Sequence, residues 1–257
     1  MHAAGRLELI AVPGLPQVGP GDDLAELVAQ GLDAAGMKLC DGDVVVFAQK
    51  VVSKAEGRRV DLGTVIPTPR AEEVARQVEK DARLVELVLR ESKRIVRQRK
   101  DVLIVEHRLG FVMANAGVDQ SNVAADGCGE FALLLPEAPD QSAERLRRDL
   151  YERCGAAVAV IINDSFGRPW RRGTVGVAIG SAGLPALRDL RGQPDMFGRR
   201  LRVTEVGLAD EIASAASLLM GQADEARPVV IVRGLNASSQ SLPAHSLLRT
   251  PEEDLFR

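Results

Sequence analysis

Aromatic side chains are scarce in this 257-residue chain: they make up 3% of it, with one Trp and one Tyr. A core of that composition is built mainly from Val, Leu, Ile and Ala, and aromatic stacking is a poor candidate for ligand capture. Cysteine is also rare. Cys40, Cys128 and Cys154 are too few and too scattered for a disulfide framework or a thiolate zinc site, no CxxC occurs, and His2, His107 and His245 lack zinc-ligand spacing. Neither sign of charge dominates: Lys+Arg 33 against Asp+Glu 36 leaves a net charge of −3, without the basic excess that nucleic acid or an anionic membrane surface favours. Long apolar runs are missing as well. A stretch such as residues 156–162 is about a third of the ~20 residues needed to cross a bilayer, and the N-terminus lacks a secretory apolar region. These absences predict a cytoplasmic protein in a reducing compartment, with no membrane and no nucleic acid among its partners. GxxxxGK[ST], GxGxxG and GxSxG are absent too, so neither a P-loop, a Rossmann fingerprint nor a nucleophile elbow explains function.

What is present is a mixture of helical and strand patterns. Residues 6–12 alternate charged and apolar side chains before Pro13-Gly14-Leu15-Pro16, which predicts an edge-like strand running into a rigid turn. Asp22 or Asp23 can cap a helix carrying Leu24, Leu27, Val28 and Leu32 and ending near Gly36. Asp41-Gly42-Asp43 then turns into 44–48, a continuous apolar run expected of a strand covered on both faces, with Gln49 and Lys50 at or just beyond its end. The spacing predicts one long helix over 71–97, a strand pair at 101–105 and 110–114 with His107 and Arg108 near the turn, and a helix over 143–153. A buried strand over 157–162, a helix over 210–220 and a strand over 229–232 complete the pattern. No repeat, low-complexity segment or linker forces a domain boundary, so residues 1–257 are expected to form a single domain.

Four polar clusters punctuate these elements. Lys54, in Val51-Val52-Ser53-Lys54-Ala55-Glu56-Gly57-Arg58, is read as a cation at a strand end that can receive a phosphate, with a solvated surface lysine as the plain alternative. Asp119 lies in the polar loop Asn115-Ala116-Gly117-Val118-Asp119-Gln120-Ser121-Asn122, able either to bind a hard cation through oxygen or to cap a turn. Asp164 and Ser165 follow the apolar strand directly and precede Arg168, Arg171 and Arg172, whose charges suit an anionic ligand or an ion-pair network equally. Met220-Gly221-Gln222 reads as an ordinary glycine helix stop. Together the residues point to an oxygen-ligated divalent centre with nearby cations, which suits phosphoryl transfer.

Six motifs stand in order along the chain: Val12-Pro13-Gly14-Leu15-Pro16, Gly42-Asp43-Val44-Val45-Val46 with Val52-Ser53-Lys54-Ala55-Glu56-Gly57-Arg58, and the loop from Asn115 to Asn122. Asp164-Ser165-Phe166-Gly167-Arg168-Pro169-Trp170-Arg171, Ala209-Asp210-Glu211-Ile212-Ala213 and Val232-Arg233-Gly234-Leu235 follow in register. In their order and spacing the chain resembles the coenzyme F420-0:L-glutamate ligase family over about residues 7 to 250. The resemblance implies a mixed α/β (α+β) F420 ligase-like fold, neither P-loop nor Rossmann, assembled as an intertwined homodimer, and a ligase domain without the nitroreductase-like C-terminal extension of some relatives. It implies GTP-dependent addition of L-glutamate to F420-0 through an acyl phosphate, then further γ-linked glutamates, with release of GDP and phosphate. Position by position, Asp119, Asp164, Ser165 and Gln222 match places that hold two divalent ions, Mg²⁺ or Mn²⁺, with K⁺ a further candidate. Leu15, Pro16, Gln17, Val18, Gln49, Lys50, Lys54, Asn122, Met220, Gly221, Gln222, Ala223, Asp224, Glu225, Ala226 and Arg227 match guanine-nucleotide contacts. Ser165 stands where Thr is frequent and keeps its hydroxyl, and Asn163 stands where Thr or Ser is usual. No acceptor-binding residue is assigned. A nucleotide-binding regulator of the same fold and a ligase for another carboxylate acceptor remain open alternatives at this point.

Overall fold

A computed structural model describes residues 5–121, 129–235 and 240–255. The chain begins with strand β1 (Glu8–Ala11), helix α1 (Leu24–Ala34), strand β2 (Val44–Ala48), helix α2 (Gln49–Ala55) and strand β3 (Arg59–Asp61). Helices α3 (Pro69–Val78) and α4 (Ala82–Arg90) lead to strands β4 (Ser92–Arg99), β5 (Val102–His107), β6 (Val112–Ala114) and β7 (Phe131–Leu133). Helix α5 (Pro139–Cys154) precedes the long strands β8 (Ala159–Arg168) and β9 (Arg171–Ala182). Short strands β10 (Arg188–Asp189) and β11 (Glu205–Val206), helix α6 (Leu208–Met220) and strand β12 (Val229–Arg233) follow.

The main sheet has the order β1-β12-β2-β8-β9, and β4-β5-β6, β3-β7 and β10-β11 form smaller sheets. Within the main sheet only β2 and β8 run parallel, with Ala48 beside Asn163; the other neighbours are antiparallel. Each central strand is apolar on both faces because each face is covered. Val45, Phe47, Val160 and Ile162 pack in one cluster with α1 and α5, whereas Val44, Val46, Ala159 and Ile161 pack in another with α6. Phe47, Ile161 and Ile162 are fully buried, and each such side chain contributes about 1.5–3 kcal/mol relative to exposure.

A bulge in β9 sets which helix touches which glycine. Ile162 pairs with Gly180 but Asn163 pairs with Ala178, leaving Ile179 as the extra residue. Past that insertion the side-chain parity changes, so Gly180 faces α5 and Gly176 faces α6. A Cβ on Gly180 would lie 2.4 Å from the Pro139 carbonyl oxygen, and one on Gly176 would lie 2.4 Å from that of Ala213. Both helices thus approach the sheet backbone at distances that only a missing side chain permits.

The single helix expected over 71–97 is instead three elements. Glu79 adopts a left-handed conformation (φ 53°) that stops α3, and the Asp81 carboxylate accepts the Arg83 N–H at 2.7 Å to start α4. Beyond Leu89 the sequence offers only Ile95 and Val96 as apolar residues before Arg99. A helix there would have no stripe to bury, and pairing with β5 wins. The edge strand, the 44–48 strand and the hairpin near His107 form as expected, with β5 and β6 paired. Asp23 is the helix cap, accepting the Glu26 N–H at 3.0 Å, while Asp22 accepts that of Gly19. Helix α5 begins four residues earlier than the expected 143, with Pro139 in its first turn. Strand β8 does not end at Ile162: hairpin pairing with β9 carries it through the polar residues to Arg168. No described helix is long and apolar enough to cross a membrane.

Candidate functional site

One end of the main sheet gathers four chain segments. Strands β2 and β8, being parallel, both point their later residues there. β12, antiparallel to β2, begins there, and β1, antiparallel to β12, ends there. The Ala48 N–H donates to the Pro228 carbonyl at 2.7 Å and the Val12 N–H to that of Val229 at 2.9 Å, closing the edge. The segments leaving this end therefore converge: 13–18 after β1, α2 after β2, residues 163–165 within β8, and 221–228 between α6 and β12.

These segments enclose a cleft of about 640 Å³. It is lined by every nucleotide-contact residue expected from the sequence except Asn122, which lies outside the described residues, and by Asp164 and Ser165. The segment carrying Leu15, Pro16, Gln17 and Val18 is pinned on both sides. The Gly21 N–H donates to the Ala55 carbonyl at 2.8 Å, and Gly31 of α1 brings the helix against the Pro13 carbonyl, where a Cβ would stand 2.6 Å away. Met220 ends α6, Gly221 (φ 71°) turns the chain, and the Glu225 carboxylate folds back to accept the Ala223 N–H at 2.9 Å. Gln222, Asp224, Ala226 and Arg227 are exposed in this turn.

Lys54 is not at a strand end as the sequence suggested; it lies in the last turn of α2, because Gln49 opens a helix directly at the end of β2. Among the described residues no carboxylate pairs with it. Burial, reinforced by the charges of Lys50 and Arg59, lowers its pKa from 10.5. A partly desolvated, unpaired cation flanked by like charges is poised for a polyanion.

Asp119 stands beside the cleft rather than in its wall, joined to it by Lys50. Its backbone exchanges both hydrogen bonds with Leu133 of β7, and β7 pairs with β3, which holds it near α2. Lys50 Nζ donates to Asp119 Oδ2 at 2.8 Å and to Ser121 Oγ at 2.5 Å, and the Ser121 N–H donates to Asp119 Oδ1 at 2.7 Å. Burial alone would raise the Asp119 pKa, but the Lys50 and Ser121 hydrogen bonds outweigh it and the pKa falls. Asp164 behaves oppositely. Burial, with the Asp119 charge adding to it, pushes its carboxyl up to about 6 despite the hydrogen bond from the Ser165 N–H and the nearby Lys50 charge. Two carboxylates that sense one another, with the Ser165 hydroxyl next to one of them, are donors of the hard-oxygen kind that Mg²⁺ or Mn²⁺ takes. Among the described residues no group of three or more His, Cys, Asp or Glu side chains forms a metal cluster, so carboxylates alone would not complete either ion's shell.

Sequence reasoning missed Asn163. It is buried, its Nδ2 donates to Ser217 Oγ at 2.9 Å, and its Oδ1 has no hydrogen-bond partner at the cleft edge. Its position between an apolar strand and Asp164 was the available signal. Arg168, Arg171 and Arg172 sit at the β8–β9 hairpin end and do not line the cleft.

The cleft, with Lys54 and Asp164 in its wall at the edge of a mixed sheet, is where this fold collects its charged side chains. The family described as F420-0:Gamma-glutamyl ligase matches residues 14–234, and the chain belongs to it. Coenzyme F420:L-glutamate ligase of Methanothermobacter thermautotrophicus is 48% identical over 256 residues, covering 98% of this chain and 99% of that protein. The proteins of the same name from Methanopyrus kandleri and Methanocaldococcus jannaschii are 48% and 43% identical, each covering 98% of this chain, and 98% and 95% of their own lengths.

Proposed function

We propose that this chain ligates L-glutamate to F420-0 at the expense of GTP and then extends the product with γ-linked glutamates. The observation that carries this reading is the convergence of the four segments on one cleft, where the residues matched to nucleotide contacts surround Lys54 and Asp164. In the reaction, a carboxylate oxygen of F420-0 attacks the γ-phosphorus of GTP as the bond to the GDP oxygen breaks, giving an acyl phosphate. The neutral amine of L-glutamate then attacks the carbonyl carbon, phosphate departs with the C–O electron pair, and the amine proton is released as the amide forms.

Such chemistry asks the protein mainly to position reactants and offset charge. Lys54 and Lys50 receive phosphate oxygens, and the pinned turn at Leu15 to Val18 and the segment from Met220 to Arg227 wall the nucleoside. Asp119, Asp164, Ser165 and Gln222 would hold two divalent ions, Mg²⁺ or Mn²⁺. When bound, these ions neutralise and align the phosphate oxygens. The Lys50–Asp119 pair keeps Asp119 ionised and oriented.

The test is direct: incubate the protein with F420-0, L-glutamate, GTP or ATP, and Mg²⁺ or Mn²⁺ with and without K⁺, and follow product mass. Glutamylated F420 with GDP is expected. Equal rates with ATP at subsaturating nucleotide would overturn the choice of GTP, and absence of glutamylated product under all conditions would overturn the ligase reading.

A further inference from the structure

Asp119 also lines a second cavity, of about 250 Å³, that shares no residue with the nucleotide cleft. The Lys50–Asp119 ion pair stands between them, since Lys50 lines one and Asp119 the other. Leu84, Val85, Val88, Leu103 and Val118 give the second cavity apolar walls. Its polar groups come from two separate elements. Lys80 enters at the α3–α4 junction, half-buried, and no carboxylate among the described residues pairs with it. Asn115 and Asp119 come from the segment after β6, and the Asn115 side-chain oxygen is buried without a hydrogen-bond partner. That segment is held in an unusual path: Asn115, Ala116 and Gly117 all have positive φ, at 53°, 52° and 68°, and Ala116 is fully buried. Backbone strain of this kind persists where the surroundings fix it, and it clusters at ligand sites.

We propose that this cavity is the L-glutamate subsite, an inference that rests on the ligase reading above. The side-chain carboxylate of glutamate pairs with Lys80, its methylenes lie along the apolar walls, and its amino end faces Asn115 and Asp119. The chemistry requires this orientation, because the amine must meet an acyl phosphate formed beside the Lys50–Asp119 boundary while the far carboxylate is held away from it. The size agrees: the cavity is smaller than the roughly 300–1,000 Å³ of sites for drug-sized ligands and suits an amino acid rather than a deazaflavin. Aspartate, one methylene shorter, would span the two polar ends less well. Glutamine reaches Lys80 without the charge.

Steady-state kinetics on Lys80→Met, Lys80→Arg and Leu84→Phe test the assignment. For Lys80→Met the KM for L-glutamate should rise about 10- to 100-fold, the range expected for one charge-assisted hydrogen bond. Its preference for glutamate over glutamine should fall by a similar factor, and the KM for GTP should hold within about twofold. Lys80→Arg should restore most of the glutamate affinity, and Leu84→Phe, by filling the cavity, should raise the same KM without changing the glutamate-to-glutamine preference. Thermal melts establish that each variant is folded. Ligation with an unchanged glutamate KM in both Lys80→Met and Leu84→Phe, or a change confined to the KM for F420-0, overturns the subsite alone. Failure of the unmodified protein to ligate removes the ligase reading and the subsite with it.

Discussion

Lys50 and Asp119 meet at 2.8 Å, and their ion pair is both a tether and a partition. It fastens helix α2, at the end of the central strand β2, to a loop held by the small β3-β7 sheet. It also separates the cleft proposed for nucleotide from the cavity proposed for glutamate. A ligase must pass an activated carboxyl from one substrate to another without passing it to water, and a shared wall made of one cation and one anion places both ends of that transfer within a side chain's length.

Asp164→Asn should lower kcat at least about 10²-fold, roughly 2.7 kcal/mol at the transition state, because a carboxamide cannot supply the charge that holds a hard cation. Folding should not suffer. The Asp164 pKa is raised to about 6, so above that pH the ionised carboxyl costs the native state stability that the carboxamide does not. Turnover at saturating Mg²⁺ and Mn²⁺, measured beside a thermal melt, checks both halves; near-normal kcat would remove Asp164 from the metal site.

Lys54→Met keeps the aliphatic stem and deletes the charge. The KM for GTP should increase about 10- to 100-fold. Because Lys54 is desolvated beside Lys50 and Arg59, its loss should leave the melting temperature unchanged or higher. Initial rates over a GTP series, with a melt of the same sample, decide it.

Glu91 predicts acid sensitivity away from the cleft. Burial alone would raise its pKa, but His107, Arg108 and Arg58 surround it and hold the carboxyl at about 2. A depressed carboxyl stabilises the fold fully above its unfolded value near 4.5, and that contribution, on the order of 3 kcal/mol, drains away as pH falls toward 2. Glu91→Gln should be less stable at pH 7, and its stability should vary less between pH 4.5 and 2 than the parent's. Denaturant midpoints across that range test the sign.

Gly180→Ala should destabilise by about 1–3 kcal/mol, since the new methyl meets the Pro139 carbonyl rather than a side chain that can move. Gly167→Ala, with open space around its Cβ position, is the control and should melt near the parent temperature.

A homodimer is expected in solution. Trp170, Met196 and Phe197 are 82%, 96% and 93% exposed, large side chains that a second copy of the chain would cover. Light scattering should give twice the chain mass across working concentrations, and a monomer throughout would remove the dimer.

Much of the sheet was legible from sequence because its strands announce themselves locally. Residues 44–48 and 157–162 are continuous apolar runs, and continuity is what two covered faces demand. The break inside 71–97 was not legible: Glu79 carries no glycine or proline signature, and the strand over 92–99 exists only because β5 lies beside it. Lys54 was recognised as a candidate cation but placed on the wrong element, since the turn from β2 into α2 occurs without a capping side chain. Asn163 escaped for a different reason. Whether a polar residue after an apolar strand is buried depends on how far the partner strand extends, and β9 is set by a hairpin further along the chain.

The parallel pairing of β2 with β8 has a consequence for how activity first arises in a newly made chain. About 110 residues separate the two strands, and the contact between them closes one of the long excursions leading to the cleft. Closure over that distance is slow and has no local reward, so Lys50 and Asp164 become neighbours only after the intervening helices and small sheets have room to settle. A ligand that needs both side chains would therefore recognise a finished protein, and a chain still on the ribosome or stalled partway through folding would offer it no cleft.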